Sequence, residues 1–125
     1  MKTKQEVFDK IVNHLRSMET RSANGAGTCR YRAPDGNKCA VGILISDNKY
    51  SESMEGLAVC TLVDVFSHVL PKYISKYSGM LEKFQELHDE KTNWRLHKRG
   101  IKKSVESVFK KIAEAEHLVY TPLNT

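Results

Sequence analysis

The chain has 125 residues, 40% hydrophobic and 28% charged, with a formal net charge of +5. That length suits a single domain, 1–125, able to bury its own core, and the balance of apolar to charged residues excludes a disordered chain. No apolar run approaches the roughly 18 residues a membrane span requires, so no membrane contact is expected.

Val7, Phe8, Ile11, Val12, Leu15 and Met18 recur at helical spacing and predict a first helix over 4–19. Thr3 stands as its N-cap, and Glu6 completes a capping-box pattern. The basic start runs straight into this helix with no apolar h-region, so no signal peptide is expected. Cys29, Cys39 and Cys60 are an odd count in such a chain, which reads as reduced thiols in a cytoplasm. Residues 22–27 hold two glycines and an asparagine and read as a mobile loop. Pro34, Asp35, Gly36 and Asn37 make a turn, since proline presets φ and glycine supplies a positive one.

Residues 39–45 are short and continuously apolar, which periodicity alone does not assign. As a strand they would close a small hairpin with 28–33. As a helix they would open directly after the turn, with Ala40 and Gly42 allowing close packing, and this reading is favoured. Residues 46–56 read as a polar loop with one short turn. A broad apolar stripe from Leu57 to Leu70, ending at Pro71, predicts a core helix with Cys60 as a buried, inert thiol. Met80, Leu81, Phe84 and Leu87 predict a helix over 78–90, and Ile101, Val105, Val108, Phe109, Ile112 and Val119 one over about 101–119. The expected fold is therefore α+β and predominantly α: about four main helices, with a small hairpin or irregular motif region packed on them.

Candidate chemistry concentrates in residues 29–56. Zinc would need four ligands, usually in close pairs; Cys29 and Cys39 are ten apart, and His88, His97 or Asp89 would have to complete the set, so no metal is assigned. A thiol enzyme could use Cys39, which follows Lys38 and could open a helix, with His88 as base. Asp89 is not expected to orient His88, because neighbouring helix residues point about 100° apart. Arg30, Arg32 and Lys38 flank a tight turn, and Asn24 to Gly27 could offer N–H groups to a phosphate, although neither P-loop nor dinucleotide spacing is present. Residues 91–103 carry Lys91, Arg95, Lys98, Arg99, Lys102 and Lys103 and no acid, whereas 46–64 carry Asp47, Glu52, Glu55 and Asp64 against Lys49 alone. Trp94 within the basic run would suit nucleic acid by stacking, or, with Leu96, would anchor the loop onto the core.

Cys29, Tyr31 and Arg32, then Gly36, Lys38, Cys39, Ala40, Val41, Gly42, Leu44, Ile45, Asp47 and Tyr50, then Met54, Glu55 and Gly56 form a pattern. This pattern resembles a family of small bacteriophage proteins, which also pairs His-Asp with a downstream tryptophan, here His88, Asp89 and Trp94. The resemblance spans residues 4–119 and implies a context rather than a reaction: the cytoplasm of an infected bacterial host. It implies a role in host takeover or counter-defence, by binding a host protein or a small anionic, nucleotide-like ligand, with no cofactor. The binding residues it points to are Arg32, Lys38, Asp47, Tyr50, Glu55, His88 and Trp94, with residues 28–56 packed against the helix that carries His88.

Overall fold

The computed structural model describes residues 2–25, 27–96 and 99–123. Ala26, His97 and Lys98, which belong to the glycine loop, the zinc candidates and the basic run, lie outside them. The chain is predominantly helical: α1 (Lys4–Ser17), α2 (Val59–Val65), α3 (Lys72–Lys76), α4 (Ser78–Asp89) and α5 (Glu106–Ala115), with short 3-10 turns between them. A β component is not shown. Pairing among the described residues is limited to isolated bridges, Ala23 with Cys29, Arg32 with Lys38 and Trp94 with Ile101. No helix among them is long and apolar enough to cross a membrane.

α1 begins where the capping box places it. Thr3 accepts from the Glu6 backbone N–H, and the Glu6 carboxylate accepts from the Thr3 N–H, which satisfies two of the orphan donors of the first turn. Its apolar stripe meets α4 and α5 through three phenylalanines, with Phe8 and Phe84 ring centres 5.6 Å apart and Phe84 and Phe109 6.1 Å apart. Fully burying each such ring contributes on the order of 1.5–3 kcal/mol. On the solvent side Arg16 ties α1 to α5, with Nη2 2.6 Å and Nε 3.0 Å from the two oxygens of Glu106.

Several boundaries differ from the sequence reading, among them the start of the last helix, at Glu106 rather than about 101, and the end of α1, at Ser17 rather than 19. The helix expected over 57–70 occupies only Val59–Val65; the N–H groups of Val69 and Leu70 both turn back to the Phe66 carbonyl, closing a turn before Pro71. The five residues after Pro71 form α3, which periodicity did not mark. The last helix stops at Ala115 because His117 takes a positive φ of 58°, and the Leu118 and His117 N–H groups bond to the carbonyls of Ala113 and Glu114. That is the Schellman arrangement, and it ends the helix well before Pro122. Cys60, expected in the core, is exposed: α2 turns Val59 and Leu62 inward, and position 60 lies about 100° round from 59.

Residues 39–45 form neither a strand nor a full helix. They make a turn and then the 3-10 turn Gly42–Leu44, with almost every side chain buried. Gly42 is required there. A Cβ on it would stand 2.0 Å from the Tyr31 carbonyl oxygen, so the backbone of this turn packs directly on that of residue 31.

Candidate functional site

The conspicuous charges of the motif are brought together and pair with one another, with Arg32 Nε left buried and without a hydrogen-bond partner among the described residues. Glu55 accepts from the backbone N–H groups of Tyr31 (2.8 Å) and Arg32 (3.0 Å) and from the Tyr50 hydroxyl (2.6 Å). Burial, then the neighbouring Glu55 carboxylate, pushes the Tyr50 hydroxyl well above its ordinary range, so it stays a donor. Arg30 pairs with Glu52. Arg32 pairs with Asp47 at 2.8 Å, donates to the Ile45 carbonyl and lies 4.7 Å over the Tyr50 ring. Lys38 lies 3.7 Å from Asp47, and its carbonyl accepts from His14 Nε2 at 2.6 Å. Arg32, Lys38, Asp47, Tyr50 and Glu55 thus hold an irregular segment in shape, substituting for the ladder hydrogen bonds that a sheet would supply.

Beside this network opens a cavity of about 390 Å³. Residues 28–31 and 55–59 form two walls, and Gln85 and Asp89 of α4 form the third. The motif therefore packs against the helix that carries His88, as the resemblance implied. Val41 N–H also donates to Gln85 Oε1, and the ligand-type atoms of Cys29, His88 and Asp89 all lie within 4.8 Å of one another.

His88 is fully buried beneath the cavity. Its Nε2 accepts from the Ser22 backbone N–H at 3.1 Å, so the ring proton is assigned to Nδ1, which donates to Asp89 Oδ1 at 2.9 Å. Asp89 does orient His88, contrary to expectation: at the last residue of α4 its Oδ1 reaches the ring of the preceding residue while also meeting Gln85 one turn back. The Trp94 ring stands edge-on to the imidazole at 5.6 Å, and its Nε1 donates to the His88 carbonyl at 2.8 Å. Trp94 is thereby buried and anchors its loop, while Leu96, expected to help, is 89% exposed.

These bonds decide the chemistry. A metal on His88 Nδ1 would move the ring proton to Nε2, where it would face the Ser22 N–H, donor against donor. Cys29, His88 and Asp89 therefore do not fit as metal ligands, although their spacing resembles a site. The same bonds leave His88 no free nitrogen with which to activate a thiol. Cys39 is completely buried, accepts from the Gly42 N–H, and has its thiol pushed up to about 12 by burial. The thiol near His88 is Cys29 instead. Burial, and then the Asp89 carboxylate, push it up to about 11, against the opposing pull of Arg21, whose Nη1 lies 2.7 Å from Sγ.

Arg21, Ser22 and Gln85 were not singled out from the sequence. Only Gln85 carried a signal there, as the i,i+4 partner of Asp89 on a helix; its Nε2 donates to Asp89 Oδ1 at 2.8 Å. Arg21 also donates to the carbonyls of Asp89 and Gly27. In the loop expected to cradle a phosphate, the N–H groups of Asn24 and Gly27 are spent internally, on the carbonyls of Thr28 and Asn24, and the Thr28 N–H goes to the Asn24 side chain. Of the basic run, Arg99 pairs with Glu19. The Lys91 ammonium stands 3.7 Å from where a Gly27 Cβ would be, close enough to Cys29 to act on its thiol. No protein-family model, curated protein or solved structure matches this chain.

Proposed function

We propose that this chain is a phage-encoded accessory protein of host takeover or counter-defence, that it acts by binding rather than by catalysis, and that its ligand is a small, nucleotide-like anion held in the cavity beside residues 29–56. The observation that carries this reading is the composition of the cavity and its rim. Tyr31, Leu57 and Val59 offer an apolar surface to a flat ring, and Asp89 and Gln85 offer polar atoms at its edge. Arg21 and Lys91 stand close to Cys29, itself on the cavity wall, and neither has an ion-pair partner among the described residues. A volume of about 390 Å³ falls within the usual range of small-ligand sites. The motif cations Arg30, Arg32 and Lys38 have internal carboxylate partners, so an anion is met by Arg21 and Lys91 instead. Binding is preferred to thiol catalysis because Cys39 is sealed in the core and both nitrogens of His88 are engaged.

A host protein as partner is a second reading, favoured by Leu96, which stands exposed between Arg95 and Arg99. Nucleic-acid binding through residues 91–103 loses its stacking element, since Trp94 is buried under its own loop.

The test is calorimetric titration of the purified chain with AMP, CMP, GMP and UMP. Saturable binding is expected, abolished by Ala58→Trp, which fills the cavity from an exposed position, and weakened, with a shallower salt dependence, by Lys91→Gln. Absence of binding to all four nucleotides, with retained binding of a host protein that Leu96→Ser abolishes, would favour the second reading.

A further inference from the structure

Resting on that reading, we infer that the cavity reads the base of its nucleotide through an exocyclic amine, and that Asp89 is the residue that reads it. Asp89 is held in one orientation from behind. Its Oδ1 accepts from His88 Nδ1 and from Gln85 Nε2, which fills both lone pairs of that oxygen. The Ser22 N–H on Nε2 keeps the His88 proton on Nδ1, so His88 is permanently a donor to Asp89. With Oδ1 filled, Oδ2 is the oxygen left to the neighbouring Cys29 thiol, and it keeps one of its two lone pairs for a ligand; the side chain is 41% exposed on the cavity wall. Of the two carboxylates on the cavity wall, Glu55 is taken by the Tyr31 and Arg32 N–H groups and the Tyr50 hydroxyl, and Asp89 is the fixed, negatively charged acceptor presented to a ligand.

An exocyclic amine, as on adenine or cytosine, projects beyond the ring edge and can meet a single oxygen while the ring stays on the apolar wall. A carboxylate accepting from the cytosine amine is a recognised pairing. In uracil or hypoxanthine the ring N–H is recessed beside projecting keto oxygens. Bringing that N–H to Oδ2 drives a keto oxygen toward the carboxylate, acceptor against acceptor. Asp89 thus selects for amine over keto, with the phosphate left to Arg21 and Lys91.

The experiment compares isosteric pairs, AMP with IMP and CMP with UMP, on the full chain by calorimetry. In at least one pair the amino nucleotide should bind about 10- to 100-fold more tightly than its keto partner. Asp89→Asn keeps an oxygen for His88 and Gln85 and places an NH₂ where Oδ2 was. It should abolish or reverse the preference, which a merely structural role would not do. Keto nucleotides binding as tightly as amino ones, or a preference that survives Asp89→Asn in a folded variant, overturns the inference. If all four nucleotides bind equally and Ala58→Trp abolishes binding, the binding reading stands and this inference falls; if none binds, both fall.

Discussion

The backbone N–H of Ser22 donates to Nε2 of His88 across 3.1 Å, sixty-six residues away in sequence and wholly out of solvent. It joins the segment leading into the motif to the end of α4, and through the ring it sets the orientation of Asp89 at the cavity. Replacing His88 with leucine, of similar bulk, leaves that N–H buried without an acceptor. A loss of about 2–3 kcal/mol is expected, read from the urea midpoint. His88→Gln should lose less, because its side-chain oxygen can accept from Ser22.

Glu55→Ala removes one acceptor from three donors at once: two consecutive backbone N–H groups and the Tyr50 hydroxyl. Hydrogen bonds to a charged partner each contribute about 1.5–3 kcal/mol. Since these share one carboxylate and relax together, we expect about 3 kcal/mol in total, with amide protection of Tyr31 and Arg32 lost in hydrogen exchange. Protection unchanged at those two amides would remove Glu55 from its structural role.

Gly42→Ala tests the close approach of two backbones. The new methyl meets the Tyr31 carbonyl and not a flexible side chain, so the 3-10 turn must move as a whole. A destabilisation of about 1–3 kcal/mol is expected from overpacking. Gly79→Ala, in α4 with nothing within 4 Å of its added Cβ, serves as the control and should stabilise slightly.

Acid should loosen the contact between α1 and the motif. Burial lowers the pKa of His14 below its ordinary value, only partly opposed by its hydrogen bond to the Lys38 carbonyl. A histidine with a depressed folded pKa binds its proton more readily in the unfolded chain. This contribution is therefore fully present above the unfolded value near 6.5 and is lost as pH falls through that value toward the folded one. The urea midpoint should decline between pH 7.5 and 5.5, and less steeply in His14→Gln. An equal decline in both proteins would assign the effect elsewhere.

The three thiols should separate under iodoacetamide at neutral pH. Cys60 is exposed and labels first; Cys29, half-buried with its thiol held near 11, follows slowly; Cys39 waits for global unfolding. Peptide mass spectrometry over time reads the order directly. Labelling of Cys39 before Cys60 would contradict the burial described here.

Local chemistry settled what local chemistry can. The capping box at Thr3 and Glu6, the inward stripes of α1 and α4 and the turn at 34–37 follow from spacing and from the preferences of single residues, and all were legible in the sequence. The neighbourhood of the motif and His88 was expected from a resemblance, not from periodicity. How the charges of residues 29–56 pair was not legible, because a dense set of charges looks the same whether it faces a ligand or itself. Only tertiary contact pairs Glu55 with the Tyr31 and Arg32 amides, Asp47 with Arg32, and the fate of Cys60 with the direction α2 happens to face. The candidate site depends still more on the fold. Arg21 and Cys29 come from one segment and Gln85, Asp89 and Lys91 from another far along the chain, and no spacing encodes the meeting of the two. The proton on His88 is set by a backbone N–H, a group every residue but proline carries, so no side-chain pattern could have announced it.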